Sequence, residues 1–299
     1  MNKRNIEAVD HYDYQRFKEH LQQLKPAFPF LEITKIGESV SNRDIMAVRI
    51  GTGPKEIHYN AAFHANEWIT TPLLMTFIEE AAYAITEGTW LRGKNVGRIF
   101  EECSLWIVPM VNPDGVDLVL NGLGTENPYY DKVLEWNGHS LDFQSWKANI
   151  RGVDLNDQFP ACWDTERDRR GVAGPGPRDY TGETPLSEPE AKAMADFTQN
   201  HDFELVIALH TQGQEIYWNY RDLEPLRAVV IAEIFAEASG YRAVKLTDSD
   251  AGYKDWFIQE SGRPGFTIEV GLGSNPLPVE DFFQLYEEIA DILLEALCI

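Results

Sequence analysis

The sequence predicts an α/β fold, because strand-like apolar runs alternate with helix-like periodic runs along most of its 299 residues. An adjacent pair of strand patterns near the start adds an antiparallel edge, which makes the expected sheet mixed and covered by helices on both faces. No linker, low-complexity tract or internal repeat divides the chain, so residues 1–299 are read as one domain. With 43% hydrophobic residues, the chain can bury one large core.

The elements follow in order. A helix is expected over 14–24, then strands over 31–36 and 45–50 around the turn Ser41-Asn42-Arg43-Asp44. The run 56–63 reads as a strand and 70–84 as an amphipathic helix. Residues 104–110 form a buried strand pattern ending in the dense turn signal Asn112-Pro113-Asp114-Gly115. The stretch 121–185, rich in Gly, Pro, Trp and Asn, shows little periodicity; so long a loop in a compact domain is usually functional. Ser187, with Glu190 three residues on, reads as a capping box opening a helix to about residue 200. A strand over 203–209, helices over 225–239 and 253–260, a strand over 266–270 and a closing helix over 279–297 complete the pattern.

Composition excludes several classes. Forty-eight acidic residues against 26 Lys plus Arg give a formal charge of −22, which disfavours nucleic acid and anionic membrane as partners. The Met1-Asn2-Lys3-Arg4 start leads into polar sequence, and no apolar run reaches membrane-spanning length. A cytoplasmic location is expected for the chain as written, with spore or cell-wall association if it is part of a longer chain. Cys103, Cys162 and Cys298 include no CxxC and are expected to be reduced, mostly buried thiols rather than a disulfide framework.

The chemistry is signalled by His64-Ala65-Asn66-Glu67, placed between the strand 56–63 and the helix 70–84. A strand-to-helix turn at the carboxyl end of a sheet is where α/β proteins bind ligands. His210 and Glu269 stand at the ends of two later buried strands. A hydrolytic zinc site takes three His or carboxylate ligands and keeps a fourth position open for water. His64, Glu67 and His210 are therefore the expected ligands of one zinc ion per chain, and Glu269 the general base. The same HxxE spacing at His201-Asp202-Phe203-Glu204 precedes a strand instead and is read as a solvated loop end. His58 lies six residues before His64, roughly 20 Å along an extended strand, too far to share the metal.

Phe63-His64-Ala65-Asn66-Glu67-Trp68, Asn112-Pro113-Asp114-Gly115, Arg151-Gly152-Val153-Asp154-Leu155-Asn156, His210 and Thr267-Ile268-Glu269 together resemble the zinc metallocarboxypeptidase family, in the right order and over most of the chain. The resemblance implies a three-layer α/β/α sandwich around an eight-stranded mixed sheet and a single zinc peptidase catalytic domain, with the ligands and base named above. The oxyanion-stabilising cation, which in the family follows a Trp, matches Lys147 here, with Arg151 as the other candidate.

Two departures bear on specificity. The family's carboxylate-gripping Arg after the motif Asn is replaced: Asn156 is followed by Asp157. A carboxylate there is expected to repel a substrate carboxylate and attract an ammonium group. The segment Trp146 to Asp157 is similar to the bacterial branch that cleaves γ-D-glutamyl-meso-diaminopimelate bonds, so peptidoglycan stem peptides are the implied partner, with Asn156 and Asp157 binding the diaminopimelate. The family's mobile Tyr falls on Ile258, leaving Tyr253 as a substitute binding residue or a core aromatic. Arg167, Arg169, Arg170 and Arg178 form the one basic cluster, read either as a receptor for a stem-peptide carboxylate or as neutralised by Asp164, Glu166, Asp168 and Asp179. The alternatives to the stem-peptide peptidase are a conventional metallocarboxypeptidase, an N-acyl amino-acid amidohydrolase and a non-catalytic wall-binding module.

Overall fold

The structure, a computed structural model, describes residues 9–299; the Met1–Arg4 start lies outside the described residues. The chain runs α1 (Tyr14–Ala27), β1 (Glu32–Glu38), β2 (Asp44–Ile50), β3 (Lys55–Ala61), α2 (Thr70–Glu87), α3 (Val96–Glu102), β4 (Cys103–Val108), α4 (Pro113–Asn121), α5 (Tyr130–Trp136), α6 (Trp163–Arg170), α7 (Pro189–Gln199), β5 (Phe203–His210), β6 (Glu215–Tyr217), α8 (Arg227–Ser239), β7 (Arg242–Val244), α9 (Tyr253–Ser261), β8 (Gly265–Glu269) and α10 (Phe282–Cys298). The strands form one eight-stranded sheet in the order β1-β2-β4-β3-β5-β8-β6-β7. β1 and β2 make the expected antiparallel edge, β4, β3, β5 and β8 run parallel, and β6 turns antiparallel to β8.

Alternation along the strands supplies two cores. Ile57, Tyr59 and Ala61 of β3 with Leu105 and Ile107 of β4 face one side, packed with residues of α2, α8 and α10 such as Leu73, Phe235 and Leu293. Trp106 and Val108 face the other, with Met194 of α7 and Trp256 of α9. A smaller cluster of Phe143, Trp146, Ala148 and Ile150 sits on Ala65 beside the HxxE turn. This is the three-layer sandwich expected from the sequence. No helix among the described residues is long and apolar enough to cross a membrane.

Several expectations change in detail. Asn112-Pro113-Asp114-Gly115 opens a helix: Asn112 is the N-cap of α4, its Oδ1 accepting the Gly115 N–H at 3.0 Å, and Pro113 fills the first turn, where a missing N–H costs nothing. The stretch 121–185 contains α5 and α6, both too short, and α6 too polar, to show an apolar stripe. Ser187 is not the cap of α7. Glu188 holds that position, Ser187 Oγ donates to Gln158 at 3.1 Å, and Glu190 turns inward to accept the Val40 N–H at 3.1 Å instead of closing a box. Of the three free cysteines only Cys103 is buried; Cys162 is intermediate and Cys298 exposed.

Candidate active site

Three adjacent parallel strands bring the predicted groups together. β3 leads into His64 and Glu67 through the short turn Ala65–Glu67; His210 ends β5; Glu269 ends β8 directly beside His210 in register. β3 pairs with β4 on one side and with β5 on the other, so the chain reverses its direction of sheet growth here and opens a crevice at the strand ends. The crevice holds a cavity of ≈ 380 Å³ walled by Asn66, Glu67, Lys147, Arg178, Thr211 and Asn275, among others.

His64 Nδ1 lies 2.8 Å from Glu67 Oε1, His210 Nδ1 3.0 Å from Glu67 Oε2, and the two imidazole nitrogens 3.1 Å apart. Two nitrogens facing each other and one carboxylate leave no complete set of proton donors and acceptors. Three lone pairs converging on a divalent ion do account for it. Bonds of ~2.1 Å in a tetrahedral zinc site place neighbouring ligand atoms about 3.4 Å apart, within a few tenths of an ångström of this spacing. The donor set therefore fits zinc, and all three residues are buried within one cluster.

The surroundings favour positive charge at the cluster. Burial works against a proton on His64, yet Glu67 and Asp154 outweigh it and raise its pKa to about 9. Burial likewise opposes ionisation of Glu67, but the two imidazoles hold it well below the usual carboxylate range. Burial, with the Glu67 charge second, pushes Glu269 up to about 8. Asp154, fully buried, accepts from His64 Nε2 at 3.1 Å and lies 3.8 Å from Lys147 Nζ, tying the ligand to the cation. That role was missed in the sequence although Asp154 stands inside a quoted motif; an acid two residues before the motif Asn was the available signal. Asn275, whose Nδ2 reaches Glu67 Oε1 at 3.4 Å and Thr211 O at 2.9 Å, had no sequence signal at all.

The frame around the loop is built from side-chain amides. Asn112 Nδ2 donates to Phe63 O and Ala148 O, both at 3.1 Å, fastening the HxxE turn to the Lys147 segment. A side chain on Gly115 would meet Ala148 O at 2.7 Å, which explains the glycine. Asn149 Oδ1 accepts from Arg151 N at 2.9 Å and Val153 N at 3.1 Å, fixing the turn that delivers Asp154.

The remaining candidates separate. Lys147 lines the cavity, whereas Arg151 points to Glu188 at 3.6 Å and Tyr129 at 3.4 Å, outside the wall. Asn156 Oδ1 accepts the Tyr253 N–H at 3.2 Å. Asp157 is buried and already paired: Arg170 meets its two oxygens at 2.8 and 3.0 Å, so it offers no free anion to a substrate ammonium. Burial, then the Asp154 charge, raises its pKa to about 7. Tyr253 is a core residue, its hydroxyl 2.8 Å from Thr198 Oγ1 and its ring packed on Phe63 and Phe159. Ile258 is fully buried in the same core. The decoy His201 is half-buried rather than solvated, stacked on Phe203 and bonded to Phe197 O at 2.8 Å. His58 is buried against Phe203, and burial lowers its pKa to about 3.

Residues 17–293 match the zinc carboxypeptidase family. The chain belongs to that family. Among curated relatives, the Lysinibacillus sphaericus protein named gamma-D-glutamyl-L-diamino acid endopeptidase 1 is 49% identical over 294 residues, covering 98% of this chain and 74% of its own length. Bacillus subtilis (strain 168) YqgT is 41% identical over 296 residues, covering 98% and 78%. Bovine thrombin-activatable fibrinolysis inhibitor superposes with a TM-score of 0.75 at 18% identity over 97% of each chain. Escherichia coli O157 murein-tripeptide amidase MpaA does so at 0.55 and 18%, over 88% of this chain and 91% of that one. As a zinc carboxypeptidase family member this chain is a metallopeptidase, and the family implies zinc for the His64, Glu67 and His210 cluster.

Proposed function

We propose that this metallopeptidase hydrolyses the γ-D-glutamyl-meso-diaminopimelate amide bond of peptidoglycan stem peptides. The observation that carries the reading is the 49% identity, along 98% of the chain, to a relative named for γ-D-glutamyl-L-diamino acid bonds. Position 157 supports it: the cation that grips a free C-terminal carboxylate is replaced by an acid locked to Arg170. Ordinary C-terminal trimming lacks its receptor at that position.

His64, Glu67 and His210 would hold the zinc, which when bound would supply Lewis acidity toward the scissile carbonyl and lower the pKa of water. Glu269, beside His210 in register at the end of β8, takes a proton from the attacking water and returns it to the leaving amine. Lys147, kept cationic by Asp154 and Glu67 against its burial, faces the developing oxyanion. Asp154 orients both His64 and Lys147.

Mass spectrometry of L-Ala-γ-D-Glu-meso-diaminopimelate digests tests the reading. The expected products are L-Ala-D-Glu and free diaminopimelate, formed with zinc and abolished by chelator. Cleavage elsewhere, or at full rate in the zinc-loaded Glu269→Gln protein, refutes it.

A further inference from the structure

Four arginines crowd the segment 167–178, and three are spent on neighbouring acids. Arg167 pairs with Asp164 at 2.7 Å and Asp168 at 2.9 Å; Arg169 with Glu166 at 2.8 Å and with Asp250; Arg170 with Asp157 and Glu166, each at 2.8 Å. Arg178 differs. Its one ion pair among the described residues is a 3.5 Å contact from Nε to Asp179 Oδ2, and Asp179 is shared with Arg170 at 3.3 Å. The side chain is 57% exposed, and it alone of the four walls the catalytic cavity.

Its placement is fixed by the backbone. Pro177 O accepts the N–H groups of both Lys147 and Ala148, at 2.8 and 3.0 Å, so residue 178 begins beside the cation that faces the scissile carbonyl. Gly152 and Gly176 pair at 3.0 Å, and a Cβ on Gly152 would meet Gly176 N at 2.7 Å, so the two segments lie in close contact. On a chain with a formal charge of −22, the cavity wall carries two cations, Lys147 and Arg178, against Glu67, which is committed to the metal. The local field favours an anionic ligand.

We propose that Arg178 is a specificity residue that binds the α-carboxylate left free by a γ-linked glutamyl residue on the acyl side of the scissile bond; this rests on the function proposed above. In an α-linked peptide that carbon continues the main chain as a neutral amide. A γ-link leaves it as an ionised carboxylate four bonds from the scissile carbonyl carbon, about 5 Å away when extended. With Lys147 at the carbonyl oxygen, a guanidinium on the adjoining segment is the wall group suited to that carboxylate, and its unpaired Nη atoms allow a bidentate contact. The carboxylate receptor lost at position 157 is thus replaced on a different loop and recognises a different carboxylate.

The test compares zinc-loaded wild type, Arg178→Gln, Arg178→Lys and the control Arg167→Gln on three peptides. These are L-Ala-γ-D-Glu-meso-diaminopimelate, its glutamyl α-carboxamide form, and the form amidated at the diaminopimelate carboxylate next to the scissile nitrogen. The wild type is expected to prefer the free glutamyl carboxylate by about 10- to 100-fold in kcat/KM, the range of a charge-assisted contact at a part-exposed site. Arg178→Gln brings that ratio near unity, with the loss carried by KM; Arg178→Lys recovers part of it, and Arg167→Gln keeps it. The ratio for the diaminopimelate carboxylate stays as in the wild type. Arg178→Gln retaining the wild-type glutamyl ratio, or losing selectivity at the diaminopimelate carboxylate instead, overturns the assignment while the function stands. A wild type that cleaves none of the three overturns the function and this proposal with it.

Discussion

Replacing Lys147 by Met removes the charge of the cavity cation and keeps most of its bulk. Its ammonium lies 3.8 Å from Asp154 Oδ2, with the side chain 14% exposed. At an effective dielectric of ~20 that attraction is about 4 kcal/mol, enough to hold the ammonium charged and in place before substrate arrives. A donor so prepared stabilises a developing oxyanion by roughly 3 kcal/mol, so its loss lowers kcat by about two decades. Arg151, with a side chain 43% exposed and 3.6 Å from Glu188, is the contrast. A contact of that exposure is worth ~0–1 kcal/mol, and Arg151→Met should change kcat by no more than a few-fold. The assay is steady-state hydrolysis of the stem tripeptide, with zinc content measured on each variant to separate catalysis from metal loss. A larger drop in Arg151→Met than in zinc-replete Lys147→Met would refute the assignment.

Three further outcomes follow from the geometry. Asp154→Asn keeps the shape but removes the charge that braces His64 Nε2, so zinc affinity should fall about 10- to 100-fold in competition with a chromophoric chelator; unchanged affinity would deny the contact its role. Burial pushes Glu190 up to about 8, above its ordinary value of 4.5, with Asp114 and Glu188 adding to the rise and the Val40 N–H opposing it. The unfolded chain therefore loses this proton first, and stability should decline as pH rises from about 4.5 to 8, by at most ~1.4 kcal/mol per pH unit. Glu190→Gln should remove that decline, so melting curves of the two proteins that stay parallel from pH 5 to 9 would contradict the burial argument. Tyr253→Phe should cost about 1 kcal/mol of stability through the lost Thr198 bond and leave kcat within two-fold, whereas a large kcat loss would return Tyr253 to the site.

The strands that carry the chemistry were legible in two ways: β4, β5 and β8 read as largely apolar runs, β3 as an alternation of Ile57, Tyr59 and Ala61 with His58 and Asn60, and His64, His210 and Glu269 stand at or just past the ends of β3, β5 and β8. β6 and β7 were not, since Glu215–Tyr217 and Arg242–Val244 are too short for an alternation to register. α3 is a seven-residue helix capped by Asn95, below the length at which periodicity speaks. The Ser187 box failed because Glu190 is drawn inward by Val40 and Asn149, partners far away in sequence. At position 157 the sequence suggests a free anion, and the structure pairs it with Arg170, a partner hidden because it comes from a helix without an apolar stripe. The same blindness to pairing made four arginines look equivalent when only Arg178 reaches the cavity.

The cavity wall has two tiers of construction. Its floor, the ends of β3, β5 and β8, is held by main-chain ladders that no single side chain can undo. Its rim, from Lys147 to Arg178, hangs on the amides of Asn112 and Asn149 and on glycines at 115 and 152. Such a rim can be exchanged or reshaped in length and charge while the floor keeps the His64, Glu67 and His210 cluster and Glu269 in register, so the scaffold can vary what it admits without rebuilding that cluster.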